Sequence, residues 1–310
     1  MPATSGAEQI APRGVSLPVP ADGLRLLGQR IADWGPQRDE LPWRHTRDPW
    51  AVLVSEVMAQ QTQIGRVVPA YHAFLERFPT PGDCARAPLS EVLQAWAGLG
   101  YHRRARHLHL AAQVVTDRHD GMLPDDLGQL LALPGVGPYT ARAVLAFAFE
   151  SDVGLVDTNA GRLLARAATG RPLRPAEAQR AVDAMVPPAT GWRFNQALLD
   201  LGALVCVART PACDRCPLAG VCVWNASGRP EPDPAGGSAG VSTRQSRFEG
   251  SDRQGRGRLL AALRERPVTP AELPVVTSWD DDARIGRMVA SLVADGLAVA
   301  HPDGVLTLPE

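Results

Sequence analysis

An all-α protein is the fold class predicted for this chain, on three observations. Apolar residues recur at three- and four-residue spacing through Val52–Met58, Leu89–Trp96, Ala141–Phe149 and Ala181–Val186, the period of helices that bury one face. The two-residue alternation of strands is nearly absent between Gly23 and Asn225. With 45% hydrophobic and 21% charged residues over 310 positions, the chain reads as folded, with room for a core in about two domains.

In chain order, residues 1–22 are rich in Pro, Ala and Gly and read as a disordered tail. The helical pattern fills 23–225. Residues 226–243 (ASGRPEPDPAGGSAGVST) carry no large apolar residue except one Val and read as a linker. Residues 244–310 form a small C-terminal module. Helices fit Arg253–Arg266, Ala271–Val276 and Ala283–Asp295, and a β-hairpin fits Gly296–Leu308 around Pro302-Asp303-Gly304, a winged-helix-like pattern. No apolar run approaches the ~18 residues of a membrane span. Without a signal-peptide pattern at the N-terminus, a cytoplasmic, nucleoid-associated monomer with no membrane partner is expected.

All 32 basic side chains are arginine. A chain without lysine has no side-chain amine for a Schiff base. Between Leu24 and Asn225 stand 21 Arg and 19 acids, and the whole chain carries a net charge of −1. A nucleic-acid face must therefore be a local patch with acids elsewhere.

Five motifs carry chemistry. Cys206, Cys213, Cys216 and Cys222 follow a C-x6-C-x2-C-x5-C spacing, which in a non-secreted chain argues for metal over disulfides. Four thiolates suit tetrahedral zinc or a [4Fe–4S] cluster, and spacing leaves the two open. Cys84 stands apart as a small buried hydrophobe. Leu133-Pro134-Gly135-Val136-Gly137-Pro138-Tyr139-Thr140 precedes a helical run. Its glycines permit a tight turn, and the free amides at the helix start can grip a phosphate. Glu56 sits in an apolar stretch, AVLVSEVMA, where burial would raise its pKa and keep it protonated, as a general acid requires. Asp157, in Val156-Asp157-Thr158-Asn159, reads in isolation as a helix N-cap. Tyr101–His109 holds three Arg and three His in nine residues, a solvated face or a phosphate-binding patch.

Order and spacing add what each motif lacks. Leu41–Arg44 (LPWR), Ser55–Ile64 (SEVMAQQTQI), Gly98–His109 (GLGYHRRARHLH), Leu133–Ala141 (LPGVGPYTA), Val156–Arg162 (VDTNAGR) and the cysteine set together resemble the endonuclease III superfamily of helix–hairpin–helix DNA glycosylases, and within it the A/G-specific adenine DNA glycosylases. The resemblance covers about Leu24 to Trp224. It implies a six-helix domain over 42–151, an iron–sulfur domain from 23–41 joined to 152–225, and a [4Fe–4S] cluster on the four cysteines. It implies double-stranded DNA as partner, with adenine opposite 8-oxoguanine or guanine flipped from the stack.

Residue by residue, the resemblance implies that Glu56 protonates adenine N7 and that Asp157 stabilises the oxocarbenium-like sugar, the two-carboxylate logic of glycoside hydrolysis. Asn159 would orient water and carboxylate. Tyr139 falls where bifunctional relatives place a catalytic lysine, so the enzyme is expected to be monofunctional. Gln61 and Ile64, with Leu99 and Tyr101 opposite, match residues that wedge into the duplex and probe the 8-oxoguanine strand. Thr62 and Arg44 match further pocket or partner-base contacts, and Gly135, Val136 and Gly137 the phosphate-binding hairpin. Two departures stand out: Ala59 replaces a usual Leu, and the 88 residues after Cys222 show no Nudix-like pattern. The C-terminal module, with Arg244, Arg247, Arg253, Arg256, Arg258 and Phe248 near its start, is expected either to close over the strand opposite the adenine or to serve as a stabilising cap. The alternatives to adenine excision are a T·G mismatch glycosylase and a non-catalytic iron–sulfur DNA-binding regulator.

Overall fold

The computed structural model describes residues 20–240 and 247–310. The tail read over 1–22 lies outside it up to residue 19, and a helix already begins at Ala21. The first domain comprises α2 (Pro49–Ala59), α3 (Ile64–Arg77), α4 (Pro81–Arg86), α5 (Leu89–Ala95), α6 (Arg103–Arg118), α7 (Leu127–Leu131) and α8 (Pro138–Phe147), after α1 (Ala21–Trp34) of the second domain. Helix α2 is the central rod. Asp48 caps it by accepting from the Trp50 and Ala51 amides, and Pro49 occupies the first helical position, where no amide is needed. Every residue from Trp50 to Ser55 is buried, because α3, α6 and α8 all pack on it. Truncating Leu53, which is fully buried, to Ala would cost about 2–5 kcal/mol.

The second domain assembles α1 with α9 (Thr158–Leu163), a wider-wound continuation over Leu164–Thr169, α10 (Pro175–Met185), α11 (Gly191–Leu204) and the short α12 (Val223–Ala226). Helix α1 joins across the sequence because Leu24, Leu27 and Ile31 complete a core with Phe194, Leu198 and Leu201. At Gly28 the helix backbone approaches the Met185 carbonyl so closely that any Cβ would collide. The domains are locked by Arg44 and Asp200, paired through two bonds of 2.7 and 2.6 Å. Asp200 also accepts from the Gln37 and Arg38 amides.

The stretch read as a linker over 226–243 is folded wherever it is described. Asp233 pairs with the buried Arg166, the Ala239 amide donates to the Leu173 carbonyl, and Ala235, Ser238 and Ala239 are buried. Small residues suit it for that role: they let a chain lie flat on α9 and α10, which a composition-based reading cannot tell from flexibility. Residues 241–243 lie outside the described residues.

The C-terminal module holds α13 (Asp252–Glu265), α14 (Leu273–Thr277), α15 (Asp282–Ala294) and a hairpin of β1 (Val299–Ala300) and β2 (Leu306–Thr307). Val268 bridges to Leu306, giving the hairpin a third edge as in a wing. The module is not separate: Leu259, Leu263 and Ile285 share one continuous core with the first domain. The Ser90 amide donates to the Pro309 carbonyl at 3.1 Å, and Arg264 contacts His102 at 3.2 Å.

Candidate active site

Glu56 lies near the end of α2, Tyr139 in the first turn of α8, and Asp157 at the N-cap of α9. Packing of α2 on α8 brings Glu56 to the Tyr139 side chain, and the domain junction adds Asp157. Glu56 is half-buried. Burial pushes its pKa up to about 7; the Tyr139 hydrogen bond pulls downward, and the Asp157 charge adds a smaller upward push. Tyr139 is raised well above its ordinary range by burial and by the two carboxylates, so it stays a neutral donor. Asp157 is the N-cap that isolated reading suggests, accepting from the Ala160 amide at 2.7 Å, and it also faces Glu56. Burial raises its pKa, while bonds from the Ala160 and Asn159 amides, the Asn159 side chain and the Arg162 charge oppose that rise. The site thus holds one carboxyl poised to carry a proton and one carboxylate fixed by donors, the division a glycosidic cleavage needs.

A chain of bonds runs outward from Asp157. Asn159 donates to Asp157 Oδ2 at 3.0 Å. Arg162 donates to Asn159 Oδ1, to the Gly202 carbonyl and to the Cys206 carbonyl at 2.8, 2.6 and 2.6 Å. Arg166 donates to the Val207 and Ala208 carbonyls, both at 2.8 Å, and lies 3.6 Å from Cys206 Sγ. Both arginines of this helix turn inward, 7% and 2% exposed. Cys206, Cys213, Cys216 and Cys222 line one pocket with Leu163, Pro211, Leu218 and Trp224, and none of the four is in a disulfide. Four thiols lining one pocket are a donor set that would fit a [4Fe–4S] cluster. Burial pushes Cys216 up to about 11 and Cys222 in the same direction. Cys84 is fully buried, in keeping with its packing role.

Two loops form the rim. Gln61 and Tyr101 both adopt left-handed backbone, φ 53° and 48°, and both are exposed. Between them Arg104 donates to the Val57, Met58 and Gln60 carbonyls at 2.7, 3.0 and 2.6 Å, the free C-terminal acceptors of α2. Its other nitrogen reaches Thr62 Oγ1 and the Leu99 and Gly100 carbonyls at 3.0, 3.4 and 3.2 Å. Burial lowers Arg104 to about 10, which leaves it charged at neutral pH. Arg104 is the residue that motif reading missed: in Tyr101–His109 it looked like one more phosphate contact. Three other residues of that run are also engaged: Arg103 with Asp295 at 3.5 Å, His102, whose pKa burial and Arg264 lower to about 4, with Arg264, and His109 with the Ala87 carbonyl.

Three expected DNA contacts are placed differently. Arg44 is 6% exposed because Asp200 binds it, an acid 156 residues away that local sequence does not reveal. Leu99 is 3% exposed and packs in the core beneath its loop. Val136 is 7% exposed, and its amide closes the hairpin by donating to the Leu133 carbonyl. Thr62 and Ile64 are half-buried at the rim. Between α7 and α8, Gly135 has φ +76° and lies so near His107 that a Cβ would come within 2.5 Å of it, so only glycine fits. Gly137 caps α8 with Pro138 at the first position, which leaves the hairpin backbone open to an anion.

Residues 54–188 match the family described as HhH-GPD superfamily base excision DNA repair protein, and residues 206–222 match the iron-sulfur binding domain of endonuclease III. The adenine DNA glycosylase of Mycolicibacterium smegmatis is 44% identical over 278 residues, covering 87% of this chain and 92% of its own. That of Homo sapiens is 39% identical over 218 residues, 65% of this chain and 40% of its own. Among solved structures, a thermostable thymine-DNA glycosylase shares the fold with a TM-score of 0.61 at 28% identity, over 66% of this chain and 98% of that one.

Proposed function

The chain belongs to the adenine DNA glycosylase family of helix–hairpin–helix base-excision repair proteins, and we propose that its substrate is adenine mispaired with 8-oxoguanine or guanine in double-stranded DNA. It is an enzyme that cleaves the N-glycosidic bond, and it carries a [4Fe–4S] cluster. No helix among the described residues is long and apolar enough to cross a membrane.

The observation that carries the proposal is the meeting of Glu56, Tyr139 and Asp157 at the junction of the two domains. With adenine flipped into the cleft, Glu56 delivers its proton to the base and so makes it a leaving group. Tyr139, neutral, holds the Glu56 carboxyl by a hydrogen bond and supplies no amine. Asp157 stabilises the positive charge that develops at the sugar, and Asn159 keeps it aimed. Gln61, Thr62, Ile64 and Tyr101 form the wedge at the vacated position. Gly135 and Gly137 offer backbone to a phosphate. Cys206, Cys213, Cys216 and Cys222 hold the cluster, whose four thiolate bonds when present close the loop behind Arg162 and Arg166.

A glycosylase assay over A·8-oxoG, A·G and T·G duplexes, read with and without hot alkali, tests this reading. Release of adenine from the first two, with strands intact until alkali, is expected. Release of thymine from T·G in preference, or strand nicking that borohydride traps, would overturn it.

A further inference from the structure

We propose that residues 233–240 form a strap that sets the backbone of Asp157, and that Thr158, bonded to that strap, is a positioning residue for the excision. This rests on the reading of Asp157 as the carboxylate that stabilises the sugar charge, and extends it to the chain that holds that carboxylate in place. Asp157 has extended backbone, φ −102° and ψ −170°, and its carbonyl accepts from the Gly161 amide at 2.8 Å. The strap lies on this first turn of α9. Thr158 is exposed and donates from Oγ1 to the Gly240 carbonyl at 2.5 Å. Gly240 has φ +76°, and a Cβ there would stand 2.3 Å from the Asp157 carbonyl oxygen. A Cβ at Gly161 would stand 1.8 Å from the Ala239 carbonyl oxygen. One glycine in each segment therefore lets the strap and the helix meet backbone to backbone, at the peptide that carries the carboxylate.

The strap is anchored before it reaches α9. The Asp233 carboxylate accepts from Arg166 Nε and Nη2 at 3.1 and 2.5 Å. The Leu173 amide donates to Ser238 Oγ at 3.3 Å, and Ser238 Oγ donates to the Pro234 carbonyl at 2.8 Å. The Ala239 amide returns a bond to the Leu173 carbonyl at 2.9 Å. Since Arg166 also bonds the Val207 and Ala208 carbonyls, one guanidinium ties the strap to the loop that follows Cys206. Asp157 is thus fixed from two sides. Asn159 and Arg162 hold its carboxylate, and the strap holds its peptide. The carboxylate has to stand where positive charge develops, and a misplacement of about 1 Å can cost about 100-fold in rate.

Single-turnover excision, duplex affinity and iron content of the full chain on an A·8-oxoG duplex test this. Thr158→Val keeps the branched shape and nearly the helix propensity of Thr but removes the hydroxyl. It is expected to slow base release about tenfold, the scale of one hydrogen bond felt in the transition state, with affinity and iron content unchanged. Thr158→Ser restores the donor and should recover the wild-type rate. Gly240→Ala, which sets a methyl against the Asp157 carbonyl, should slow release further. A Thr158→Val variant of full rate, a fall in affinity as large as the fall in rate, a Thr158→Ser variant as slow as Thr158→Val, or Gly240→Ala at the wild-type rate would each overturn the proposal. Asp157→Asn separates the two levels. Excision retained in that variant removes the reading of Asp157 and the strap with it, whereas an inactive Asp157→Asn beside a full-rate Thr158→Val removes the strap alone.

Discussion

The Arg162 guanidinium lies 2.6 Å from the Cys206 carbonyl while its second nitrogen holds Asn159, so a cysteine backbone and the N-cap carboxylate are three bonds apart. Removing Arg162 leaves the Cys206 and Gly202 carbonyls without a donor and frees Asn159 from its orientation over Asp157. Arg162→Gln is therefore expected to slow single-turnover excision by about 10–100-fold, the usual effect of losing an outer-shell partner. Iron content and duplex affinity should change little. A variant of full rate would show that Asp157 holds its position without this support.

Glu56→Gln and Asp157→Asn should each abolish detectable adenine release. A proton donor at the leaving group contributes about 10²–10⁴-fold, and an amide at Asp157 no longer opposes positive charge. Phosphate contacts supply most of the affinity, so duplex binding should persist in gel-shift titrations. Substantial excision by either variant would remove that residue from the mechanism.

The chemical step should follow pH in a bell. On the proposed mechanism the protonated form of Glu56 is the acid, and burial sets it near 7, so the rate should be held below that pH and fall above it, about tenfold per unit. The acid limb reports Asp157, which must be ionised. The two limbs belong to the coupled pair. Tyr139 stabilises the Glu56 carboxylate by its hydrogen bond, so Tyr139→Phe should move the alkaline limb upward. A limb that stays put would show that the hydroxyl does not reach Glu56 in the working enzyme.

Arg104→Met should lower stability by about 3 kcal/mol, since three carbonyls at the end of α2 lose their donor. It should also weaken duplex affinity, because Gln61 and Tyr101 sit on the two loops it ties. Thermal melting and binding together check this; a loss of stability without a loss of affinity would confine Arg104 to the fold.

Protein purified without air should be brown, with about four irons per chain. Cys216→Ser should lose iron and, through the Arg162 and Arg166 contacts with the Cys206–Ala208 loop, excision as well. Stoichiometric zinc in colourless protein would contradict the assignment.

Much of the molecule was legible in the sequence for one reason: helical periodicity and short motifs are local. The spacing of the cysteines, the apolar setting of Glu56 and the glycines of the hairpin can each be read within a dozen residues. What escaped depends on distant partners. Nothing near Arg44 announces Asp200, and nothing in Tyr101–His109 distinguishes Arg104, which turns in to the carbonyls of α2, from Arg103, which turns out to Asp295. The stretch read as a linker escaped for the opposite reason. Its small residues signal looseness by composition, yet Gly240 packs on the Asp157 carbonyl and Gly161 on that of Ala239, where no Cβ could fit.

The left-handed backbone at Gln61 and Tyr101 bears on how quickly the protein can search. Such a conformation costs a residue with a side chain about 1–2 kcal/mol, and here that cost is met once, in folding, by the bonds Arg104 makes. The two side chains are then presented without any loop having to order itself at each encounter. On the proposed wedge role, side chains set in advance would let the protein test successive base pairs along DNA with no ordering step at each one.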